Sequence, residues 1–231
     1  MTDEQQHHHG AFFGRRKGHP LRARQAELIG TLLPRLALDL GSPAPTDLAT
    51  LFQNPVDDIR LEIGFGGAEH LIAQAQAHPD IGFIGCEPFV NGMAKALAAI
   101  ETLKLANIRL RHADAMDLLE WLPDGSVARI DLLYPDPWPK RRHWKRRFVS
   151  DASVGKFARI LRPGGEFCFA SDWANYADWT LLRLLRSLDF TWTAERADDW
   201  RQPWPEFGGT RYEAKAKREG RAPCYLVFRR K

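Results

Sequence analysis

Asp136 and Trp138 stand in Pro135-Asp136-Pro137-Trp138-Pro139, directly after Asp131-Leu132-Leu133-Tyr134, which reads as a buried strand. A carboxylate and an indole at the carboxyl end of a strand occupy the place where open α/β sheets bind ligands. The next eight residues, Lys140 to Arg147, contain six cations around Trp144, a pattern suited to holding a polyanion. One short segment thus joins a small-molecule site to a nucleic-acid contact. Further acids stand at comparable places. Glu62 lies within an apolar run that ends at Gly64-Phe65-Gly66-Gly67-Ala68, and Glu87, Asp114 and Asp172 each follow another run. Glu87 comes twenty-one residues after Gly66, the separation at which an acid can accept the ribose hydroxyls of an adenosine.

The elements that must position these residues alternate. Strand-like runs at Ile59–Ile63, Ile81–Cys86, Ile108–Arg111, Ile130–Tyr134 and Glu166–Ala170 are separated by amphipathic helical patterns. That alternation predicts a mainly parallel sheet with helices on both faces. Thr191–Glu195 and Cys224–Arg229 read as two more strands, the last of them antiparallel. Between them, Trp200 to Gly209 reads as a Pro/Trp/Gly-rich loop without a helix of ordinary period. Leu21 to Leu38 has helical spacing disturbed by Pro34. Leu161-Arg162-Pro163-Gly164-Gly165 reads as a turn closing a helix and entering the fifth strand.

Each of the five parallel strands therefore delivers an acid, inside it or just beyond. A dinucleotide site needs one acid for ribose and donors for a pyrophosphate. Several carboxylates instead suit a cationic ligand without phosphate. S-adenosylmethionine carries a sulfonium and an ammonium, so this pattern favours it over a nicotinamide cofactor, which would also leave Glu62 unexplained.

Charge is distributed to match. The chain of 231 residues has a formal net charge of +4. Residues 12–24 carry +5, residues 140–147 carry +6 and residues 211–231 carry +6, which leaves −13 on the remainder. An acidic body with three basic segments fits a cation-holding pocket beside a phosphate-binding surface. Cys86, Cys168 and Cys224 are widely spaced, which argues against a disulfide framework and a zinc site. His7-His8-His9 reads as a solvated tail. No apolar run reaches membrane-spanning length and the polar start lacks a signal-peptide core, so the expected location is the cytoplasm. Residues 1–20 read as a basic, disordered extension and residues 21–231 as one domain.

Taken together, Leu61-Glu62-Ile63-Gly64-Phe65-Gly66, Glu87-Pro88, Asp114, Tyr134 to Lys140, Arg142 to Phe148, Leu161 to Gly165, Ser171-Asp172-Trp173 and Thr210-Arg211-Tyr212-Glu213 resemble the bacterial tRNA (guanine-N7)-methyltransferases from about residue 12 to the end. The Asp-Pro-Trp block with its cations and the Thr-Arg-Tyr-Glu block are specific; the glycine loop and Leu-Arg-Pro-Gly-Gly belong to many methyltransferases. The resemblance implies a Rossmann-like class I methyltransferase with a seven-stranded sheet. It would move a methyl group from S-adenosylmethionine to N7 of the variable-loop guanine at tRNA position 46. It implies cofactor contacts from Glu62, Gly64, Gly66, Glu87, Asp114 and Asp136, with Asp136 also catalytic. Lys140, Asp172, Thr210, Arg211, Tyr212 and Glu213 would contact the guanosine. Arg142, His143, Trp144, Lys145, Arg146 and Arg147 would contact RNA. The expected partner is tRNA, with the protein a monomer or homodimer. Two rivals remain. One is an exocyclic-amine methyltransferase, whose Asp/Asn-Pro-Pro-aromatic loop has a second proline that is absent here. The other is a non-catalytic RNA-binding subunit, which would have little use for an acid at every strand end.

Overall fold

The computed structural model describes Gly14 and residues 16–231. Seven strands form one sheet: β1 (Asp58–Ile63), β2 (Ile81–Cys86), β3 (Ile108–Arg111), β4 (Val127–Leu133), β5 (Leu161–Ser171), β6 (Phe190–Trp192) and β7 (Cys224–Arg230). Their order is β3-β2-β1-β4-β5-β7-β6. The first five strands pair in parallel, and β7 runs antiparallel to both β5 and β6. The chain moves outward from β1 to β3 and then returns to place β4 on the other side of β1. That reversal opens a crevice above the carboxyl ends of β1 and β4.

The helices are α1 (Ala23–Thr31), α2 (Leu33–Leu36), α3 (Glu69–Ala77), α4 (Val90–Leu103), α5 (Ala115–Trp121), α6 (Asp151–Ile160), α7 (Ala174–Arg186), α8 (Asp198–Arg201) and α9 (Arg211–Arg218). The period-two alternation of β2 sorts them into layers. Ile84 and Cys86 join one apolar cluster with Leu118, Phe157 and Tyr176 of α5, α6 and α7. Ile81 and Phe83 join another with Leu28, Leu71 and Leu97 of α1, α3 and α4.

Several local features depart from the sequence reading. The expected helix over Leu21–Leu38 divides at Leu32, because Pro34 is accommodated only in the first turn of a new helix. Arg162 to Gly165 lie within the start of β5 rather than before it, beside a register shift in β4. Most informative is α9, which had no apolar period to announce it. Of the basic N-terminal segment, residues 1–13 and 15 lie outside the described residues, as do His7-His8-His9. Residues 16–20, expected to be disordered, are held on α4. The Val90 amide donates to the Arg16 carbonyl at 3.0 Å, and the Asn91 side chain bridges Gly18 and His19.

The α3 side of the sheet carries a buried charged layer. Glu62 and Asp131 are register partners on β1 and β4 and are both buried. Arg129 donates to both Asp131 oxygens at 2.8–3.1 Å, and His70 Nδ1 on α3 lies 2.8 Å from Glu62 Oε2. The Trp204–Gly209 loop covers this layer, with Trp204 against Arg129 and Phe207 against His70. Burial alone lowers the pKa of His70, but the Glu62 carboxylate and its hydrogen bond raise it above the ordinary value. A raised histidine pKa stabilises the fold fully below the unfolded value, about 6.5, and that contribution is lost as pH rises through the folded value. The stability gap between the native protein and His70→Gln, measured by urea unfolding, should therefore be wider at pH 6 than at pH 9. It should narrow by about 1.4 kcal/mol for each unit by which the folded pKa exceeds the unfolded one. A gap independent of pH would mean that His70 is neutral throughout.

Candidate active site

The crevice above β1 and β4 holds a cavity of about 550 Å³. Its floor begins where β1 ends. Gly64 and Gly66 take positive φ values of 71° and 55°, which a side chain would strain, and Ala68 follows at 66° to open α3. The loop packs closely on α4: a Cβ at Gly92 would lie 2.1 Å from the Gly66 carbonyl oxygen. Gly92 is thus a site requirement that carries no signal in the sequence.

Glu87, Asp114 and Asp136 enter the cavity from the ends of β2, β3 and β4. The buried Glu87 accepts from the Gly66 amide at 2.6 Å and from the Phe89 amide at 2.9 Å, which ties the glycine loop to the second strand. Burial pushes its pKa up, against those two amides and the Arg211 guanidinium. Asp114 accepts from the Met116 amide at 2.8 Å and so caps α5 while lining the cavity. Asp136 stands on a turn whose two flanks are strained. Tyr134 and Trp138 hold positive φ values of 51° and 43°. Such left-handed backbone at bulky residues costs about 1–3 kcal/mol each and persists only where the surroundings enforce it. Although Asp136 is exposed as a residue, partial desolvation of its carboxyl in the cavity raises its pKa.

Glu62 is placed differently. Strand alternation turns it toward α3 and His70, and its neighbour Ile63 lines the cavity instead. Asp172 also lies outside the lining and accepts from Arg221 Nε at 2.6 Å. The Thr-Arg-Tyr-Glu block divides by role. Thr210 caps α9 by accepting from the Glu213 amide at 3.0 Å. Glu213 is buried and accepts from the Tyr225 hydroxyl at 2.6 Å. These two fix the first turn of α9, so that Arg211 and Tyr212 reach the cavity; Tyr212 comes within 3.3 Å of where a Cβ on Gly66 would be. Thr-x-x-Glu is itself a helix-start signature, and it is the signal that could have revealed α9.

The basic block follows as a 3₁₀ turn, Arg141–Arg146. Lys140, Arg141, Arg142 and Lys145 are exposed, while His143, Trp144 and Arg146 are half-buried. Trp138, Lys145, Arg146 and Arg147 border the cavity, and Arg146 lies over the Trp138 ring at 5.1 Å. Arg147 breaks the pattern: it is only 4% exposed, and its guanidinium is bonded within the protein. The structure therefore gathers Gly64, Gly66, Glu87, Asp114, Asp136, Arg211 and Tyr212 around one cavity, with exposed cations of the basic block beside it.

A family model described as "Putative methyltransferase" matches residues 57–226. The tRNA (guanine-N(7)-)-methyltransferase of Rhodopseudomonas palustris (strain BisB5) is 62% identical over 228 residues, covering 99% of this chain and 89% of its own. The protein of the same name from Rhizobium meliloti (strain 1021) is 62% identical over 220 residues and is covered to 95%, as is this chain. Among solved structures, the 16S rRNA methyltransferase KamB superposes with a TM-score of 0.58 at 18% identity, covering 82% of this chain and 95% of its own. The Streptococcus mutans protein SMU.1697c, solved with SAH, gives 0.51 at 10% identity, covering 91% of this chain and 100% of its own. At those identities the structural likeness concerns the fold. Matched by close relatives along nearly its whole length, the chain belongs to the tRNA (guanine-N7)-methyltransferase family.

Proposed function

We propose that this protein transfers a methyl group from S-adenosylmethionine to N7 of the guanine at position 46 in the tRNA variable loop. It does so in the cytoplasm, as a monomer or homodimer without an obligatory protein partner. The observation that carries this reading is the convergence of Glu87, Asp114 and Asp136 on one cavity with Lys145 and Arg146 of the basic block at its border. Among the described residues, no helix is long and apolar enough to cross a membrane.

The cavity suits the cofactor. Its glycine-lined floor lets a ligand approach the backbone, and its carboxylates suit a sulfonium and an ammonium. Glu87 would hold the ribose hydroxyls, Asp114 would lie beside the adenine, and Gly64 and Gly66 would face the methionine part. When bound, S-adenosylmethionine supplies a methyl group activated by its sulfonium. Glu62 would act on this site from behind β1 by fixing α3 through His70. Arg211 and Tyr212 would enclose the reacting groups, with Thr210 and Glu213 holding them in place. Lys140 and Asp172 would reach the guanosine from outside the cavity.

Guanine N7 exposes a lone pair, so no base is needed to remove a proton before transfer. Catalysis can then rest on alignment and on stabilising the positive charge that develops on the purine. Asp136 performs both tasks in this account, holding the donor edge of the guanine and opposing that charge. Incubating tRNA with the protein and labelled cofactor should yield labelled 7-methylguanosine at position 46 alone, read by mass spectrometry of nucleosides and fragments. Asp136→Asn, assayed at saturating cofactor, should lose about a hundredfold or more in turnover, as when one preorganised group is removed. Near-full turnover by this variant, or label on an exocyclic amine, would contradict the assignment.

RNA affinity should fall steeply with salt. If Lys140, Arg141, Arg142, Lys145 and Arg146 each meet a phosphate, the slope of log affinity against log salt is about −3.5 to −4.5. A flat response would remove the electrostatic role of this block.

A further inference from the structure

The guanidinium of Arg147 ends a run of cations yet is buried, and its partners are all within the protein. Nε donates to the Pro137 carbonyl at 2.9 Å, and an Nη donates to Asn175 Oδ1 at 2.7 Å. Three aromatic rings surround it, with centroids at 4.9 Å for Trp144, 4.8 Å for Tyr176 and 5.0 Å for Trp179. Pro137 is the residue between Asp136 and the left-handed Trp138. The carbonyl that Arg147 grips therefore belongs to the strained turn that carries Asp136. At the other flank the Tyr134 amide is fixed by the Ala170 carbonyl at 2.7 Å. The turn is thus anchored at β5 on one side and, through Arg147 and Asn175, at the start of α7 on the other.

We propose that Arg147 is a positioning residue: a buried clamp that holds the Pro135–Trp138 turn in its strained form and so aims Asp136, rather than a contact to RNA. Arginine suits the role because a flat guanidinium can stack between rings while its forked donors bind two separate oxygens. Lysine would preserve the charge but lose both the stacking and the fork. The catalytic consequence rests on the assignment of Asp136 above; the clamp itself does not.

The test uses the full chain with Arg147→Lys and Asn175→Ala. Asn175 is exposed, so its truncation tests the anchor even if the arginine variant does not fold. Three quantities are read: hydrogen exchange at the Tyr134 amide, which is bonded to the Ala170 carbonyl, kcat and KM with tRNA, and the salt slope of tRNA affinity. Both variants should exchange this amide at least tenfold faster and lose at least tenfold in kcat. KM for tRNA should change less than threefold, and the salt slope should stay as in the native protein. Unchanged exchange in both variants would overturn the clamp. So would a salt slope flattened by roughly 0.7–0.9 in a third variant, Arg147→Gln, which removes the charge, because that is the share of one lost phosphate contact. Asp136→Asn assayed in parallel separates the two claims: full turnover there removes the catalytic reading, while the exchange rates still decide whether Arg147 holds the turn.

Discussion

Gathering carboxylates in one partly buried cavity is unfavourable, and this fold is organised around offsetting that cost. Glu87 is buried and its pKa is raised, yet two backbone amides and a nearby guanidinium favour its charged form. Asp114 spends one oxygen on the first turn of α5. Asp136 has no such amide donor among its described contacts, and partial desolvation in the cavity raises its pKa. A cationic ligand suits such an arrangement, because positive charge favours the ionised form of Glu87 and Asp136. The chain reversal at β1 and β4 brings these acids together, since three successive loops open at the same edge of the sheet.

The same strands carry a second set of acids facing the other way. Glu62 and Asp131 are paired with His70 and Arg129 inside the protein, and this layer seats the Trp204–Gly209 loop that leads into α9. Acids beyond the strand ends thus line the cavity. Charge on the α3 face of the sheet positions the segment that brings Arg211 and Tyr212 to that cavity. The two are linked covalently, because Glu62 and the glycine loop are two residues apart. The basic block shows a comparable division. Its exposed members face solvent beside the cavity, and its last member, Arg147, is held among aromatic rings against the turn.

The order of elements and the placing of most acids were legible in the sequence because they depend on local pattern. Apolar runs of strand length and the residues just after them locate Glu87, Asp114 and Asp136 without knowledge of the sheet order. What could not be read depends on contacts between distant segments. Glu62 lies inside its strand whereas the others follow theirs, and the face it takes is fixed by pleat and register. Arg147 looks like its five cationic neighbours until α7 supplies Tyr176, Trp179 and Asn175. The helix α9 escaped because its outward face is charged and only Glu213 and Ala216 are buried, so no apolar stripe exists to be counted. Its Thr-x-x-Glu start was the available sign.

The most direct test of the account is a crystal structure of the protein with S-adenosylhomocysteine. The account requires the nucleoside in the crevice above β1 and β4, its ribose hydroxyls on the Glu87 carboxylate and its sulfur on the side of the cavity lined by Asp136. Binding elsewhere, or a ribose that leaves Glu87 without contact, would contradict it.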